Sequence, residues 1–248
     1  MRLLVSVRSV QEIAAAVSGG ADIIDAKEPE RGSLGAVSAE TFSDIAGQLP
    51  PDIPLSAALG DFTDPAEVNS AISSIPQVYR PAPLYLKLGF AGVSDTRLIR
   101  EMLLAAGRAV QGRCPPCPRV IAVAYGDWEL AGTAHPELVC QVAGGAGAAG
   151  LLLDTKTKSG NQLLDWIDPE QLSDLVALAR SAGLLTAVAG GLGAEQLPAV
   201  RRCEPDIVGF RGAVCIGGRG GRVSRSKVAA VRRAVNSFSL YSGSAITQ

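Results

Sequence analysis

Two lysines lie inside apolar segments of the sequence, where packing alone would not place a charge. Lys27 ends residues 22–27 and Lys87 lies within residues 84–89, and both segments have the composition of buried strands. A buried ammonium is costly unless it is paired, whereas a buried lysine that loses its proton can attack a carbonyl group. The chain has only five lysines against eighteen arginines, which stay protonated in proteins. The placement of Lys27 and Lys87 therefore indicates amine chemistry.

Two aspartates accompany these lysines. Asp25 lies two residues before Lys27 and shares its strand face, and Asp154 ends another apolar segment, shortly before Lys158. In such a set, one neutral amine forms a Schiff base with a carbonyl substrate, while a second ammonium lowers the pKa of the first or transfers protons. The aspartates accept and return protons. The sequence leaves open which lysine is neutral, and the alternative interpretation is an ion-pair network without a chemical role.

The spacing of the apolar segments predicts the fold that would position these groups. Apolar runs alternate with amphipathic stretches such as residues 95–110 and 169–181, which implies parallel strands joined by helices. Eight such runs are present, at residues 3–7, 22–27, 55–59, 84–89, 120–125, 150–155, 185–190 and 206–212. Eight strands in a chain of this length predict an α/β fold of the (β/α)8 TIM-barrel type.

A doubly wound parallel sheet is the alternative architecture. It usually carries a glycine-rich dinucleotide-binding turn after its first strand. Here the first strand is followed by Arg8-Ser9-Val10-Gln11-Glu12, which predicts a helix start with Ser9 as the N-cap and Glu12 completing a capping box. The barrel is therefore the preferred prediction.

Glycines follow the seventh and eighth predicted strands, at the end of a barrel that carries the active site. Gly190 and Gly191 close strand seven, and Arg211, Gly212 and Ala213 close strand eight, with the glycine-rich residues 217–221 beyond it. Backbone N–H groups of these loops often bind phosphate in barrels, and glycine permits close approach of the anion. We therefore expect a phosphate site to which Arg211 adds charge. The alternative is that the glycines only form tight turns.

Composition and charge narrow the function classes. The 248 residues carry a net charge of −1, which argues against a nucleic-acid-binding protein. No apolar run is long enough to span a membrane and no signal peptide is recognised, so we expect a cytoplasmic protein. One barrel domain is predicted over residues 1–235, followed by a loosely ordered tail over residues 236–248. We expect the barrel to assemble as a homo-oligomer.

The five cysteines do not predict a metal site or a disulfide framework. Cys114 and Cys117 have CxxC spacing, but they lie in a proline-bounded loop that precedes a strand. No second cysteine pair or nearby histidine completes a zinc site. We interpret both as loop residues and expect no metal.

Several of these segments together resemble one known family, (5-formylfuran-3-yl)methyl phosphate synthase, also called 4-(hydroxymethyl)-2-furancarboxaldehyde-phosphate synthase. The resemblance is carried by residues 19–27 (GGADIIDAK), 32–35 (GSLG), 85–89 (YLKLG), 153–155 (LDT) with Lys158 and Gly160, and 206–213 (DIVGFRGA). No single stretch is specific, but the combination is. It runs from the first strand to the last and covers nearly the whole chain.

The resemblance implies a barrel that condenses two molecules of glyceraldehyde 3-phosphate into a phosphorylated furan aldehyde, with loss of phosphate and water. The product would be the furan precursor of methanofuran or of a related one-carbon carrier. The family's Schiff-base lysine falls on Lys27 and its proton-transfer lysine on Lys87. Asp25, Asp154 and Lys158 match further active-site positions. No metal or organic cofactor is implied.

The residues alone reach a broader conclusion, a Schiff-base lyase or aldolase that acts on a small phosphorylated carbonyl compound. One alternative is a metal-independent isomerase of a sugar phosphate, with Asp25 and Asp154 as acid and base. Another is a non-catalytic barrel that binds a phosphorylated ligand. Lysines inside strands two and four favour the lyase, because phosphate binding alone does not require them. Residues 217–221 depart from the family pattern, which bears on phosphate contacts.

Overall fold

The computed structural model of the chain describes residues 1–113, 116–158 and 160–236. Its main strands are β1 (Arg2–Val7), β2 (Ile23–Ala26), β3 (Leu55–Asp61), β4 (Leu84–Gly89), β5 (Arg119–Tyr125), β6 (Gly150–Asp154), β7 (Leu185–Val188) and β8 (Ile207–Phe210). Each pairs in parallel with its neighbours in sequence, and β8 closes onto β1. The predicted (β/α)8 barrel is therefore confirmed.

Helices connect the strands on the outside of the barrel. Within the described residues they are α1 (Ile13–Ser18), α2 (Ala39–Gln48), α3 (Pro65–Ser74), α4 (Thr96–Gln111), α5 (Trp128–Ala131), α6 (Pro136–Gly145), α7 (Pro169–Ser181), α8 (Leu197–Arg202) and α9 (Arg225–Asn236). The bounds of α7 match the prediction. The start of α4 is one residue later than predicted because the Asp95 side chain caps it, accepting the N–H of Arg97. A short antiparallel hairpin, β9 (Cys215–Ile216) and β10 (Arg222–Val223), follows β8.

Side chains on each strand alternate between the barrel interior and the surrounding helices. In β2, Ile24 and Ala26 belong to the core that packs against the helices, whereas Ile23 and Asp25 line a cavity inside the barrel. The same alternation directs Lys87 of β4 into the interior between outward-facing leucines. An apolar strand sequence can therefore deliver a charged side chain to the centre of the barrel.

Arginines hold the end of the barrel where the strands begin. Arg80, in the loop before β4, is 5% exposed. It donates to four backbone carbonyls at the end of α2 and in the loop beyond, those of Ala46, Leu49, Pro50 and Ile53, at 2.5–3.1 Å. Arg113, after α4, donates to the carbonyls of Ile72 and Ile75 at the end of α3. Carbonyls at a helix C-terminus lack intrahelical donors, and these guanidinium groups supply them.

Two predictions fall partly outside the described residues. Cys114 lies outside them, whereas Cys117 is described and is exposed. The predicted tail also lies outside them, apart from Asn236, which ends α9. None of the helices in the described ranges combines the length and apolar composition that a membrane span requires.

Candidate active site

β2, β4 and β6 bring four charged side chains together where the strands end. Lys27 directly follows β2, and its N–H donates to the Val7 carbonyl at 3.0 Å, which extends the ladder by one residue. Lys87 lies within β4, and Asp154 ends β6. The exposed fractions are 0% for Asp25, 2% for Asp154, 5% for Lys87 and 7% for Lys27. These charges are therefore removed from bulk water.

Asp25 pairs with the lysine of another strand rather than with its own neighbour. Lys87 Nζ lies 2.7 Å from Asp25 Oδ1, and Ser6 Oγ donates a hydrogen bond of 2.8 Å to Asp25 Oδ2. Ser6 reaches Asp25 because the two are register partners across β1 and β2. The contact with Lys87 lacks the angles of a hydrogen bond, since Oδ1 accepts none within the described part of the chain. Asp25 and Lys87 are therefore close enough to exchange a proton.

Asp154 receives charge from two sides. Lys158 Nζ and the Thr155 N–H donate to Asp154 Oδ1, at 2.9 and 2.8 Å, and Lys27 Nζ lies 3.9 Å from Oδ2. Burial alone would raise the pKa of Asp154, but the attraction of Lys158 and Lys27 outweighs it and holds that pKa at about 2. Asp154 is therefore a carboxylate at neutral pH.

The environment of Lys27 favours the neutral form of its amine. Burial lowers its pKa from 10.5 to about 7; Asp154 opposes the shift, and repulsion from Lys87 and Lys158 adds to it. A large fraction of the Lys27 side chain is therefore neutral at pH 7. The like-charge repulsion expected from the sequence contributes to this shift, but burial is its largest cause.

Asp127 fixes the loop that carries Lys158. Asp127 is 2% exposed, and its two carboxylate oxygens accept the backbone N–H groups of Lys156 and Thr157, each at 2.7 Å. The Lys156 ammonium pairs with Asp61 at 2.6 Å. Because Lys156 pairs with Asp61, Lys158 is the lysine of this loop that contacts Asp154. The signal for Asp127 in the sequence is its position two residues after β5.

Arg211, directly after β8, uses its donors on protein acceptors. Two hydrogen bonds of 2.6 and 3.1 Å join it to Glu12. Three more go to the carbonyls of Ser6, Arg219 and Gly221, at 2.6–3.0 Å. A guanidinium has five N–H donors, so this set occupies them all. The charge that Arg211 is predicted to lend to a phosphate is thus already paired with Glu12.

The predicted capping box at the first helix is wrong. Ser9 makes no side-chain cap hydrogen bond, and the first turn is a 3-10 helix, Val10–Glu12. Glu12 accepts the Arg8 N–H at 2.8 Å, but its carboxylate is 3% exposed and pairs with Arg211, 199 residues away. An unpaired buried carboxylate costs more free energy than a helix start without a side-chain cap. A local sequence pattern cannot reveal a partner at that separation.

The predicted catalytic and phosphate-binding residues line one cavity of about 280 Å3. They are Asp25, Lys27, Lys87, Asp154, Lys158, Gly190, Gly191, Arg211, Gly212 and Ala213. Gly190 and Gly191 have φ values of 105° and 70°. A Cβ atom on Gly190 would lie 3.1 Å from the backbone nitrogen of Thr155, so glycine is required there on two grounds. Arg219, outside the predicted set, also lines the cavity.

Among the residues that the structure describes, no group of three or more His, Cys, Asp or Glu side chains could hold a metal ion. Among the apolar side chains that line the cavity stand three lysines and two aspartates, Lys27, Lys87, Lys158, Asp25 and Asp154. Such a set can perform nucleophilic attack by an amine and proton transfer.

Sequence comparison assigns the chain to a family. The sequence profile of 4-HFC-P synthase matches residues 3–232. The chain belongs to the 4-HFC-P synthase family. The (5-formylfuran-3-yl)methyl phosphate synthase of Methanothermobacter thermautotrophicus is 34% identical to it over 241 residues, 96% of this chain and all of that protein. The enzyme of that name from Methanocaldococcus jannaschii is 36% identical over 236 residues, 92% of this chain and 97% of that protein. The resemblance inferred from the motifs is confirmed.

Solved structures place this 4-HFC-P synthase family member among known barrels. Phosphoribosyl anthranilate isomerase from Thermus thermophilus superposes with a TM-score of 0.62 at 18% identity, covering 96% of this chain and 99% of that one. The 3-hexulose-6-phosphate synthase of Salmonella typhimurium gives a TM-score of 0.57 at 17% identity, covering 95% and 100%. At these identities the likeness supports the fold alone.

Proposed function

We propose that this chain condenses two molecules of glyceraldehyde 3-phosphate into 4-(hydroxymethyl)-2-furancarboxaldehyde phosphate, as a lyase that forms a Schiff base on Lys27. Atom balance requires the release of one orthophosphate and two water molecules. The observation that carries the proposal is the Lys27 amine, which lies on the cavity wall with a pKa of about 7. The product would enter the biosynthesis of a methanofuran-type cofactor, in keeping with the names of the relatives.

Imine formation is the first step of the proposed mechanism. The neutral Lys27 amine attacks the aldehyde carbon of one triose phosphate and gives a carbinolamine, which loses its hydroxyl group as water. Lys158 can donate the proton that this water carries away, since its ammonium lies 2.9 Å from Asp154, which stays ionised. The Asp154 carboxylate also stabilises the iminium cation that develops on Lys27.

Carbon–carbon bond formation is the second step. Removal of a proton next to the iminium carbon gives an enamine, while the second triose phosphate eliminates orthophosphate to give 2-hydroxypropenal. The enamine carbon then attacks the terminal alkene carbon of this aldehyde. Asp25 and Lys87, 2.7 Å apart, can accept the proton removed from the first triose and return one to the enolate that the addition leaves on the second triose. Loss of the hydroxyl group on the branch carbon releases the second water. Attack of the remaining hydroxyl group on the iminium carbon closes the ring, and elimination of the Lys27 amine makes it aromatic, with the aldehyde of the second triose as the furan carboxaldehyde.

The glycine loops after β7 and β8 are the proposed phosphate-binding elements. Gly190 and Gly191 follow β7, and Gly212 and Ala213 follow β8; all four line the cavity. Without bulky side chains, their backbone N–H groups are accessible to a phosphate oxygen. This position orients the aldehyde end of the substrate toward the lysines deeper in the barrel.

Borohydride reduction in the presence of glyceraldehyde 3-phosphate tests the assignment of Lys27. The parent protein should give a stable adduct on the peptide that contains Lys27, and without borohydride it should release free phosphate and develop furan absorbance. Lys27→Arg keeps a positive charge but cannot form the imine, so both signals should disappear. Lys227→Arg, an exposed lysine of α9, is the matched control and should retain both.

The same experiment separates the alternatives. An adduct on the Lys27→Arg protein as abundant as on the parent would remove Lys27 from the mechanism. Isomerisation of the triose phosphate by the parent without a trappable adduct would favour a sugar-phosphate isomerase. If the parent protein binds triose phosphate but leaves it unchanged, a non-catalytic binding barrel would be favoured.

A further inference from the structure

A second arginine near the cavity, Arg219, differs from Arg211 in how its charge is paired. Arg219 lies at the tip of the β9–β10 hairpin, within residues 217–221, and its half-buried side chain lines the cavity. The tip turns through Gly217 and Gly218, whose φ values are 84° and 71°. The hairpin therefore presents one cation to the space in front of the glycine loops.

The Arg219 guanidinium is anchored but not neutralised. Nε and Nη2 donate to the Pro29 carbonyl at 3.3 and 3.1 Å, and Nη2 also donates to the Gly32 carbonyl at 2.6 Å. No carboxylate of the described residues lies within ion-pair distance of it, and Nη1 has no acceptor among them. A partly buried cation without a counter-ion favours binding of an anion.

Arg211 and Glu12 hold this hairpin in place. Arg211 donates to the Arg219 carbonyl at 3.0 Å and to the Gly221 carbonyl at 2.6 Å, and Glu12 accepts the Val223 N–H at 3.1 Å. The buried Arg211–Glu12 pair thus contacts both the tip and the base of the hairpin. All five N–H donors of Arg211 are bonded to protein acceptors, and none remains for a substrate.

We infer that Arg219, and not Arg211, is the cation that binds a phosphate group of the substrate, through Nη1. Arg211 is then a positioning residue that holds the hairpin. The inference rests on the proposed function in one respect, that the substrate is a phosphate monoester. The carbonyls that accept from Arg219, those of Pro29 and Gly32, lie in the loop that follows Lys27. A phosphate bound by Arg219 would therefore be connected to that loop through the Arg219 side chain.

Isothermal titration with glycerol 3-phosphate, an unreactive three-carbon phosphate monoester, tests this inference without requiring turnover. Loss of a charged hydrogen bond should raise the Kd of Arg219→Gln by about 10-fold to 100-fold relative to the parent. Arg219→Lys, which keeps the charge but not the fork, should recover part of that loss. Arg222→Gln removes an exposed cation from the same hairpin and should bind like the parent.

Borohydride trapping of Lys27 with non-phosphorylated glyceraldehyde is the second readout. Arg219→Gln should trap glyceraldehyde as the parent does, because the barrel and Lys27 are intact, yet trap glyceraldehyde 3-phosphate less. Parental affinity of Arg219→Gln for glycerol 3-phosphate would overturn the inference, as would an equal loss of trapping with both aldehydes. Failure of the proposed function would appear elsewhere, as a parent protein that binds glycerol 3-phosphate but forms no adduct and no furan.

Discussion

Two buried lysines and two arginines at opposite ends of the barrel have different kinds of partner. Where the strands end, Lys27 and Lys87 face carboxylates inside a cavity. Where the strands begin, Arg80 and Arg113 donate to backbone carbonyls of neighbouring helices. Arginine is permanently charged and carries a planar fork of donors, which suits fixed acceptors, whereas the pKa of lysine responds to burial. The buried lysines therefore lie where a shifted pKa can matter, whereas Arg80 and Arg113 bind fixed backbone acceptors.

Burial lowers the pKa of a basic residue at both ends, but the consequence differs. At the lysine end it lowers the pKa of Lys27 to about 7, which makes a reactive amine available. At the arginine end it also lowers the pKa of Arg80, with Asp52 opposing, but an arginine stays protonated and its four hydrogen bonds persist. Replacing a lysine by arginine where the strands end, and an arginine by lysine where they begin, therefore tests the comparison directly.

Of the three exchanges that test this comparison, Lys87→Arg should have the largest effect. The arginine keeps a positive charge beside Asp25 but does not release a proton at neutral pH, so kcat for furan formation should fall by about 10²-fold to 10⁴-fold. Steady-state furan absorbance measures the loss, and urea unfolding reports whether the protein is folded. A folded Lys87→Arg protein with parental kcat would show that Lys87 transfers no proton.

Arg80→Lys is the reverse exchange and should affect stability instead. An ammonium has three N–H donors for four buried carbonyls and lacks the fork geometry, so the free energy of unfolding should fall by about 2–3 kcal/mol. Urea unfolding gives this value, and kcat per folded molecule should remain parental. A drop in kcat at unchanged stability would instead tie Arg80 to the reaction.

Lys227→Arg should have the smallest effect. Lys227 is an exposed residue of α9 and does not line the cavity. The free energy of unfolding should stay within about 0.5 kcal/mol of the parent value, with unchanged kcat. A large change in either quantity would mean that the lysine–arginine distinction extends beyond the cavity.

The sequence was sufficient to predict the barrel and ten of the residues that line its cavity. Eight apolar runs predict eight strands, and a period of two predicts which side chains share a face. Lys27 and Lys87 stand out because each contradicts the composition of its own strand. The pairing of Asp25 with Lys87 was not predictable in this way, because alternation assigns a face but does not select a partner across the barrel.

Long-range partners account for what the sequence did not reveal. Glu12 fits a local capping pattern, and only the closed barrel brings it to Arg211. Arg219 lies in a glycine-rich turn with no periodicity, so its place on the cavity wall depends on the β9–β10 pairing and on carbonyls near residue 30. Contacts between residues nearly 200 positions apart emerge from the assembled fold, not from spacing.

The pH dependence of adduct formation on Lys27 tests the central claim most directly. The initial rate of borohydride-trapped adduct with glyceraldehyde 3-phosphate is measured from about pH 5 to pH 10, a range that spans the shifted and ordinary lysine pKa values. Only the neutral amine attacks the aldehyde, so the rate should rise with pH and level off with a midpoint near 7. A rate that keeps rising toward the ordinary lysine value of 10.5 would contradict the account.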